Sequence, residues 1–150
     1  MGNLLLGGRR VTTPPFVYVT YVKASPRKLW NALTRGDLMR KYWHARIEST
    51  WKPGAPVQTF TRSGRLDWDG KVVSVKPPRL LSYTFQILGF QKRSSRIAFE
   101  IEPAGSIAKL TLSHDGIEPR CRKGMAAGWP VFFSKLKTFL ETGEGLNVPD

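Results

Sequence analysis

The sequence is poor in cysteine and histidine, and both shortages exclude classes of protein. A single cysteine, Cys121, cannot form an internal disulfide, which excludes a secreted disulfide scaffold and favours a reducing compartment. The two histidines, His44 and His114, lie far apart in the chain with no cysteine-rich spacing around them. Because zinc sites need several clustered ligands, we predict no metal site and no cofactor.

Long hydrophobic runs are also missing. A helix that spans a bilayer needs about 20 consecutive apolar residues, and the chain has no such run. The cluster Leu4-Leu5-Leu6 is too short for a secretory signal, and arginines follow it rather than precede it. Leu6 also stands where a myristoylation motif requires serine or threonine. We therefore expect a cytoplasmic protein with a loose N-terminal tail over residues 1–15.

Acidic residues are few, whereas basic residues are abundant. The 24 Lys and Arg residues outweigh 11 Asp and Glu residues, which gives a formal net charge of +13. Such an excess attracts acidic partners, nucleic acids or anionic surfaces. The basic residues are scattered from Arg9 to Lys137, and no nucleic-acid-binding motif accompanies them. We expect no specific nucleic-acid binding and keep an acidic protein partner as an alternative.

The first third of the chain predicts one strand and two short helices. Residues 16–22 are rich in aromatic and β-branched side chains, which are typical of a strand. Both faces of this strand are apolar, so its inward face is not assigned. Ser25 followed by Pro26 predicts a helix start. Asp37 is expected to cap a second helix over residues 38–43.

Residues 45–115 alternate apolar and polar side chains between turn signals, which include Asp69-Gly70 and Pro77-Pro78. The pattern predicts about six strands in an antiparallel sheet with one buried and one wet face. On the three clearest strands, the residues predicted to face inward are Leu81, Tyr83, Phe85, Ile97, Phe99, Ile101, Ala108, Leu110, Leu112 and His114.

The C-terminal part changes to a helical period. Its broad apolar stripe consists of Met125, Trp129, Phe132, Phe133, Leu136, Phe139 and Leu140. Gly143 is expected to end this long helix. Pro130 leaves two alternatives: the helix begins near Trp129, or it begins earlier and kinks at the proline. Packing the stripe on the apolar sheet face gives an α+β fold, in which a curved antiparallel sheet of about six to seven strands wraps around the helix.

Five segments, in order, resemble a known superfamily. They are ASPRKLWNALT at 24–34, WKPGAPV at 51–57, PPRLLSYTF at 77–85, LTLSHDG at 110–116 and GWP at 128–130. Together they resemble the START-like (SRPBCC) superfamily, in the branch of activator of heat-shock protein 90 ATPase homologues. The resemblance implies a helix-grip fold over residues 16–143, followed by a C-terminal tail over 144–150. It also implies a cavity that in the superfamily holds lipids, sterols, polyketides or other apolar molecules.

The leading functional hypothesis is therefore a binding module for a small hydrophobic or aromatic ligand between the long helix and the sheet. Ligand pockets are mostly apolar with a few polar groups, which fits the aromatic stripe and the sheet face. The predicted lining residues are Trp30, Trp43, Tyr83, Phe85, Phe99, Leu112, His114, Met125, Trp129, Phe132, Phe133 and Leu136.

Three further interpretations stay open. His114 is the candidate acid–base of a cyclase or hydrolase, although a core histidine satisfied by the backbone or by Asp115 explains the same position. Asp67 and Asp69 suit a paired-carboxylate site, but the following Gly70 favours a solvated turn. The third interpretation is a protein-interaction module, such as a co-chaperone, that uses the basic surface.

Overall fold

The computed structural model describes residues 13–149, so most of the predicted N-terminal tail lies outside the described residues. The elements are β1 (Phe16–Val22), α1 (Pro26–Thr34), α2 (Gly36–Met39), β2 (Ala45–Glu48), β3 (Pro56–Thr61), β4 (Leu66–Lys76), β5 (Leu80–Ile87), β6 (Ser95–Ala104), β7 (Ile107–Asp115) and α3 (Pro119–Thr142).

One antiparallel sheet contains all seven strands of residues 13–149, in the order β1-β7-β6-β5-β4-β3-β2. The first strand pairs with the last, and the two short helices carry the chain across to the opposite edge. The curled sheet surrounds α3, and their apolar faces form one buried core. This arrangement confirms the predicted α+β helix-grip fold.

The inward face of the sheet follows the predicted alternation. Alternate residues of β5, β6 and β7, from Leu81 to His114, are buried. Ser82 departs from the pattern because it is buried although it was predicted to face water. Its hydroxyl donates to the Ile97 carbonyl oxygen at 2.9 Å, which satisfies the polar group inside the sheet.

The unassigned strand β1 turns out to have an exposed apolar face. Val17, Val19 and Tyr21 are about half exposed on the outer side of this edge strand. The alternate residues are more covered, and the Tyr18 ring stacks on Phe133 of α3 at a centroid distance of 5.0 Å. The inward set of β1 therefore packs against the long helix.

The first helix starts as predicted, but the second does not. The Ser25 hydroxyl accepts a hydrogen bond from the Lys28 amide, which caps α1. The prediction of α2 over residues 38–43 is wrong, since the helix spans only Gly36–Met39. Asp37 does not cap it because it lies inside the first turn, where its carboxylate binds the Arg35 guanidinium at 2.7 Å, and Arg35 is the N-cap residue. A side chain at Gly36 would place its Cβ 2.5 Å from the backbone oxygen of the following strand, so only glycine fits.

The predicted turn at Asp69-Gly70 is also wrong, because both residues lie inside β4. A Cβ at position 70 would lie 1.8 Å from the Thr84 carbonyl oxygen of β5. Glycine is therefore present to let two strands approach closely rather than to turn the chain. Just beyond it, the register of β4 against β5 shifts.

Helix α3 begins well before its proline. It runs for 24 residues with Pro130 inside it, which selects the earlier of the two predicted starts. Gly143 ends the helix at φ 82° and donates its amide to the Phe139 carbonyl, as predicted. Within residues 13–149, no helix combines the length and the apolar character needed to cross a membrane.

Candidate functional site

A cavity of about 370 Å³ lies between α3 and the concave face of the sheet, with the segment after α2 along one side. Its volume falls within the usual range of small-molecule sites. Seventeen residues line it: Met39, Trp43, His44, Thr59, Asp67, Trp68, Tyr83, Phe85, Ile87, Phe90, Ile97, Phe99, Gly124, Met125, Gly128, Trp129 and Phe132.

The structure brings together seven of the twelve predicted lining residues. Those that line the cavity are Trp43, Tyr83, Phe85, Phe99, Met125, Trp129 and Phe132. The other five do not line it and are buried in the surrounding core: Trp30, Leu112, His114, Phe133 and Leu136. Alternation identifies which side chains face inward, but it does not separate those that border a cavity from those packed beneath it.

The sheet side of the cavity is a continuous aromatic surface. The Trp68 ring stacks on Tyr83 at a centroid distance of 5.4 Å, and it meets Phe85 at 4.7 Å. Phe99 continues this surface to Trp129 of α3, edge to face at 6.0 Å. Offset and edge-to-face contacts of this kind fix ring positions. The aromatic walls are therefore held in place without a ligand.

Two glycines form the helix side of the cavity opening. Gly124 and Gly128 lie one turn apart on α3, and a Cβ at Gly128 would meet no atom within 4 Å. Glycine inside a helix costs roughly 1 kcal/mol relative to alanine. Two glycines four residues apart in a helix therefore indicate a position where side chains are absent for a reason other than helix stability. Sequence reasoning missed this signal, although it was available next to the apolar stripe.

His114 closes the inner end of the cavity through Trp129. The Trp129 indole, which is only a donor, donates to His114 Nδ1 at 3.0 Å. Nε2 therefore carries the proton and donates to the Ser95 hydroxyl at 2.7 Å, which in turn donates to the Phe85 carbonyl. Burial lowers the pKa of His114 to about 4, so the ring is neutral at physiological pH.

This network gives His114 a positioning role in the described structure. Both ring nitrogens are occupied by Trp129 and Ser95, and the residue is fully buried and does not line the cavity. A general base must reach the proton that it removes. The geometry instead has His114 fix the orientation of the Trp129 ring, which does line the cavity.

The opposite end of the cavity has a different polar pair at its rim. His44 Nε2 lies 3.4 Å from Asp67 Oδ2, and both residues line the cavity. The His44 side chain is 56% exposed and that of Asp67 only 27%. Sequence reasoning treated Asp67 as part of a solvated turn, but the absence of that turn leaves the carboxylate in a strand beside Trp68.

The β5–β6 loop carries Phe90 over the rim, where its ring lies close to Gly124. Three polar contacts hold the loop. Glu118 accepts hydrogen bonds from the Lys92 and Arg93 amides at 2.7 and 2.8 Å, and Arg120 donates to the Phe90 carbonyl. The amides of Arg93 and Lys92 lower the pKa of the Glu118 carboxyl, so it stays ionised.

The cavity offers few polar groups. Apart from the rim pair and the Thr59 and Tyr83 hydroxyls, its lining is apolar or aromatic. Burial raises the pKa of the Tyr83 hydroxyl, which therefore remains a neutral hydrogen-bonding group. Within residues 13–149, no three His, Cys, Asp or Glu side chains come close enough to hold a metal ion.

Solved structures with the same fold include proteins from distant organisms. Protein MLL2253 from Mesorhizobium loti is 26% identical with a TM-score of 0.71, covering 84% of this chain and 97% of that one. The Aha1 dimer from Colwellia psychrerythraea is 25% identical with a TM-score of 0.74, covering 89% and 100%. PFC0360w, an HSP90 activator from Plasmodium falciparum, is 16% identical with a TM-score of 0.70, covering 86% and 97%, and shows the fold alone.

A search of curated proteins finds no match to the sequence. A family model does match, and it covers residues 23–141, which is most of the chain. That segment runs from the end of β1 to the end of α3 and includes every residue that lines the cavity. The chain belongs to the family of activator of Hsp90 ATPase homolog 1-like proteins.

Proposed function

We propose that the protein binds a small hydrophobic or aromatic molecule, such as a lipid fragment or an aromatic metabolite, in the cavity between α3 and the sheet. The observation that carries the proposal is a cavity of about 370 Å³ with aromatic walls, which the surrounding side chains do not fill. An apolar cavity of about 150 Å³ already binds benzene, so this one has room for a larger molecule.

Two features of the walls support tight binding. The rings of Trp68, Tyr83 and Trp129 are fixed by stacking and by the hydrogen bond to His114, so little order is lost when a ligand enters. Burial of apolar area contributes about 25 cal/mol per Å², so an aromatic ligand needs few hydrogen bonds to reach micromolar affinity.

Native mass spectrometry of gently purified protein tests this proposal. We expect an adduct that denaturation releases and that a substitution in the cavity prevents. Gly128→Leu places a side chain in the empty space beside α3, and we expect it to lower ligand occupancy by at least about tenfold. Ala127→Leu is the matched control, because Ala127 is the exposed neighbour that does not line the cavity.

Two results would contradict the proposal. One is equal occupancy in Gly128→Leu and Ala127→Leu, which would place the adduct outside the cavity. The other is bare wild-type protein that also fails to bind an added neutral naphthalene. Either result would shift the interpretation from ligand binding to protein binding.

A second candidate function is binding to a chaperone. The observations that favour it are the family membership and the net charge of +13, which suits an acidic partner. We expect such a protein to raise the ATP hydrolysis rate of Hsp90 in a salt-sensitive manner, because exposed charges are screened by salt. An unchanged rate at low salt would contradict it, and Gly128→Leu is expected to leave this activity intact.

A further inference from the structure

The Asp67 carboxylate is unusually poor in partners for a covered acidic group. Its side chain is only 27% exposed, yet among residues 13–149 its one polar side-chain neighbour is the His44 ring, with Nε2 at 3.4 Å. Asp69 on the same strand is similarly half-buried and has no side-chain partner among the described residues, whereas two other covered carboxylates are well supplied. Glu118 accepts two backbone amides, and Glu141 accepts the Lys23 amide and the Lys137 ammonium. Because a covered carboxylate normally binds donors, Asp67 has acceptor capacity left for a ligand.

The surroundings of this carboxylate are aromatic. Asp67 precedes Trp68 in β4, and Trp68 stacks on Tyr83 across the strand pair. Trp43 and His44 face the same cavity from the segment after α2. Aromatic faces carry negative potential and attract cations, most strongly tryptophan. A carboxylate that lines the same cavity as these tryptophan and tyrosine rings therefore favours positive charge there.

The basic groups of the protein lie outside this lining. No lysine or arginine is among the residues that line the cavity. The nearest recorded ammonium is Lys135 Nζ, 5.5 Å from the centre of the Trp43 ring, which shows that this aromatic wall already accepts a cation. Three arginines, Arg40, Arg46 and Arg62, border a second, small pocket that shares Trp43 and His44 with the cavity.

We propose that the cavity selects organic cations: molecules with an aromatic or alicyclic body and an amine or quaternary ammonium group that lies against Asp67. This proposal rests on the proposed function, since it names the ligand class of the same cavity. Asp67 is the counter-ion, Trp68 and Tyr83 supply aromatic faces, and the apolar lining near Phe99 holds the body of the molecule.

The net charge of +13 repels a cationic ligand at long range, but the strength of each interaction depends on the distance between the charges. Exposed charges more than a Debye length away, about 8 Å at 0.15 M salt, are largely screened. A carboxylate in direct contact within a partly covered cavity is screened much less. Lys135 lies nearer than a Debye length to the Trp43 ring, at 5.5 Å, and we expect the carboxylate in direct contact with the ligand to outweigh it.

Three naphthalene probes of matched shape test the proposal by equilibrium dialysis at 0.15 M salt. They are the cation (2-naphthylmethyl)trimethylammonium, its neutral isostere 2-(2,2-dimethylpropyl)naphthalene, and the anion of 2-naphthylacetic acid. For the wild type we expect the cation to bind at least about tenfold more tightly than the isostere, and the anion to bind most weakly.

Asp67→Asn keeps the shape of the side chain and removes its charge. We expect it to weaken binding of the cation by about tenfold and to leave the isostere unchanged. Asp69→Asn is the matched control because it removes the same charge two residues along β4, where the residue does not line the cavity. It is expected to leave all three affinities as they are.

The outcomes separate the two proposals. If the isostere binds but the cation binds no more tightly, or if Asp67→Asn weakens both probes equally, the cation preference is overturned while ligand binding stands. If the anion binds most tightly, the preference is likewise overturned. If none of the probes binds, the proposed ligand-binding function fails together with it.

Discussion

The two histidines differ in their relation to the cavity and illustrate two uses of the same side chain: His44 lines it, whereas His114 reaches it only through Trp129. His114 is fully buried, with both ring nitrogens hydrogen-bonded to Trp129 and Ser95. His44 is more than half exposed, lies against the Trp43 ring at 4.6 Å, and has the Asp67 carboxylate at 3.4 Å. The ring nitrogens of His114 are thus satisfied by the protein itself, whereas the side chains of His44 and Asp67 at the rim remain partly exposed.

This difference teaches which polar groups to associate with function. A network in which every donor has an acceptor orients its members and stabilises a unique core. A covered group with spare acceptor capacity is costly in the folded state unless water or a ligand supplies the donor. Substitutions at the inner end should therefore affect stability first, and substitutions at the rim should affect binding.

The largest expected effect is that of His114→Leu on stability. It leaves the Trp129 indole N–H and the Ser95 hydroxyl without their partner in a buried site, so we expect a loss of about 4 kcal/mol in the free energy of unfolding. His44→Leu is the matched control at the exposed rim and should change it by less than about 0.5 kcal/mol. Urea unfolding measures the loss in the free energy of unfolding for both variants. Similar losses would show that the two histidines do not differ in their contribution to stability.

The pH dependence of stability is the next largest effect. The folded-state pKa of His114 is about 4, below its ordinary value of 6.5, because burial favours the neutral ring. Between these two pH values the unfolded chain therefore binds more protons than the folded protein. The contribution of His114 to stability is fully present above pH 6.5 and is lost as the pH drops towards 4. Between pH 7 and pH 4 we expect the free energy of unfolding of the wild type to fall by about 3 kcal/mol more than that of His114→Gln.

The measurement compares the wild type with His114→Gln, because the carboxylates titrate in both proteins and their contributions to the pH dependence cancel. The free energy of unfolding is measured at several pH values by urea titration, and the gap between wild type and variant should narrow on acidification. A constant gap would show that the His114 ring is not held neutral in the folded protein.

Trp129→Phe should have a smaller effect on stability. It keeps an aromatic ring in the cavity wall but removes the N–H that His114 Nδ1 accepts, so we expect a loss of about 1–2 kcal/mol. Thermal unfolding would show it as a lowered melting temperature. Trp43→Phe is the comparison at the rim, where the ring lies against Lys135 and His44. Equal losses would indicate that the indole N–H contributes nothing.

The smallest effect on stability is expected for Phe90→Ala at the rim loop. Phe90 is 37% exposed, so its removal should cost less than about 1 kcal/mol. Because the ring covers part of the opening near Gly124, we expect faster dissociation of a bound naphthalene probe in stopped-flow measurements. Leu88→Ala, on the same loop and outside the lining, is the control. Unchanged dissociation would show that the ring does not cover the entrance.

The strands and the long helix could be predicted because their signals are local. The alternation around Phe99 and Leu110 and the stripe around Phe133 follow from periods of two and 3.6, which each element displays in its own sequence. Gly70 shows the limit of this reasoning. The same glycine is typical of a turn or of a close approach between strands, and only the position of Thr84 in the neighbouring strand decides.

The candidate site was predicted only in part, because several of its features join distant parts of the chain. His44 and Asp67 meet across two strands, and His114 finds its partners on β6 and α3. Periodicity identified His114 as inward-facing, but it carries no information on which partners satisfy the ring. The prediction therefore ranked His114 above His44 as a functional residue, whereas His44 lines the cavity and His114 does not.

The glycines of α3 have a consequence for how this cavity changes over generations. One nucleotide substitution converts a glycine codon into an alanine or valine codon, and at position 128 the new side chain meets open space rather than its neighbours. Either side chain would take volume from the cavity, and both form helix better than glycine does, alanine most of all. Relatives with different side chains at 124 and 128 would then accept molecules of different size on an unchanged sheet.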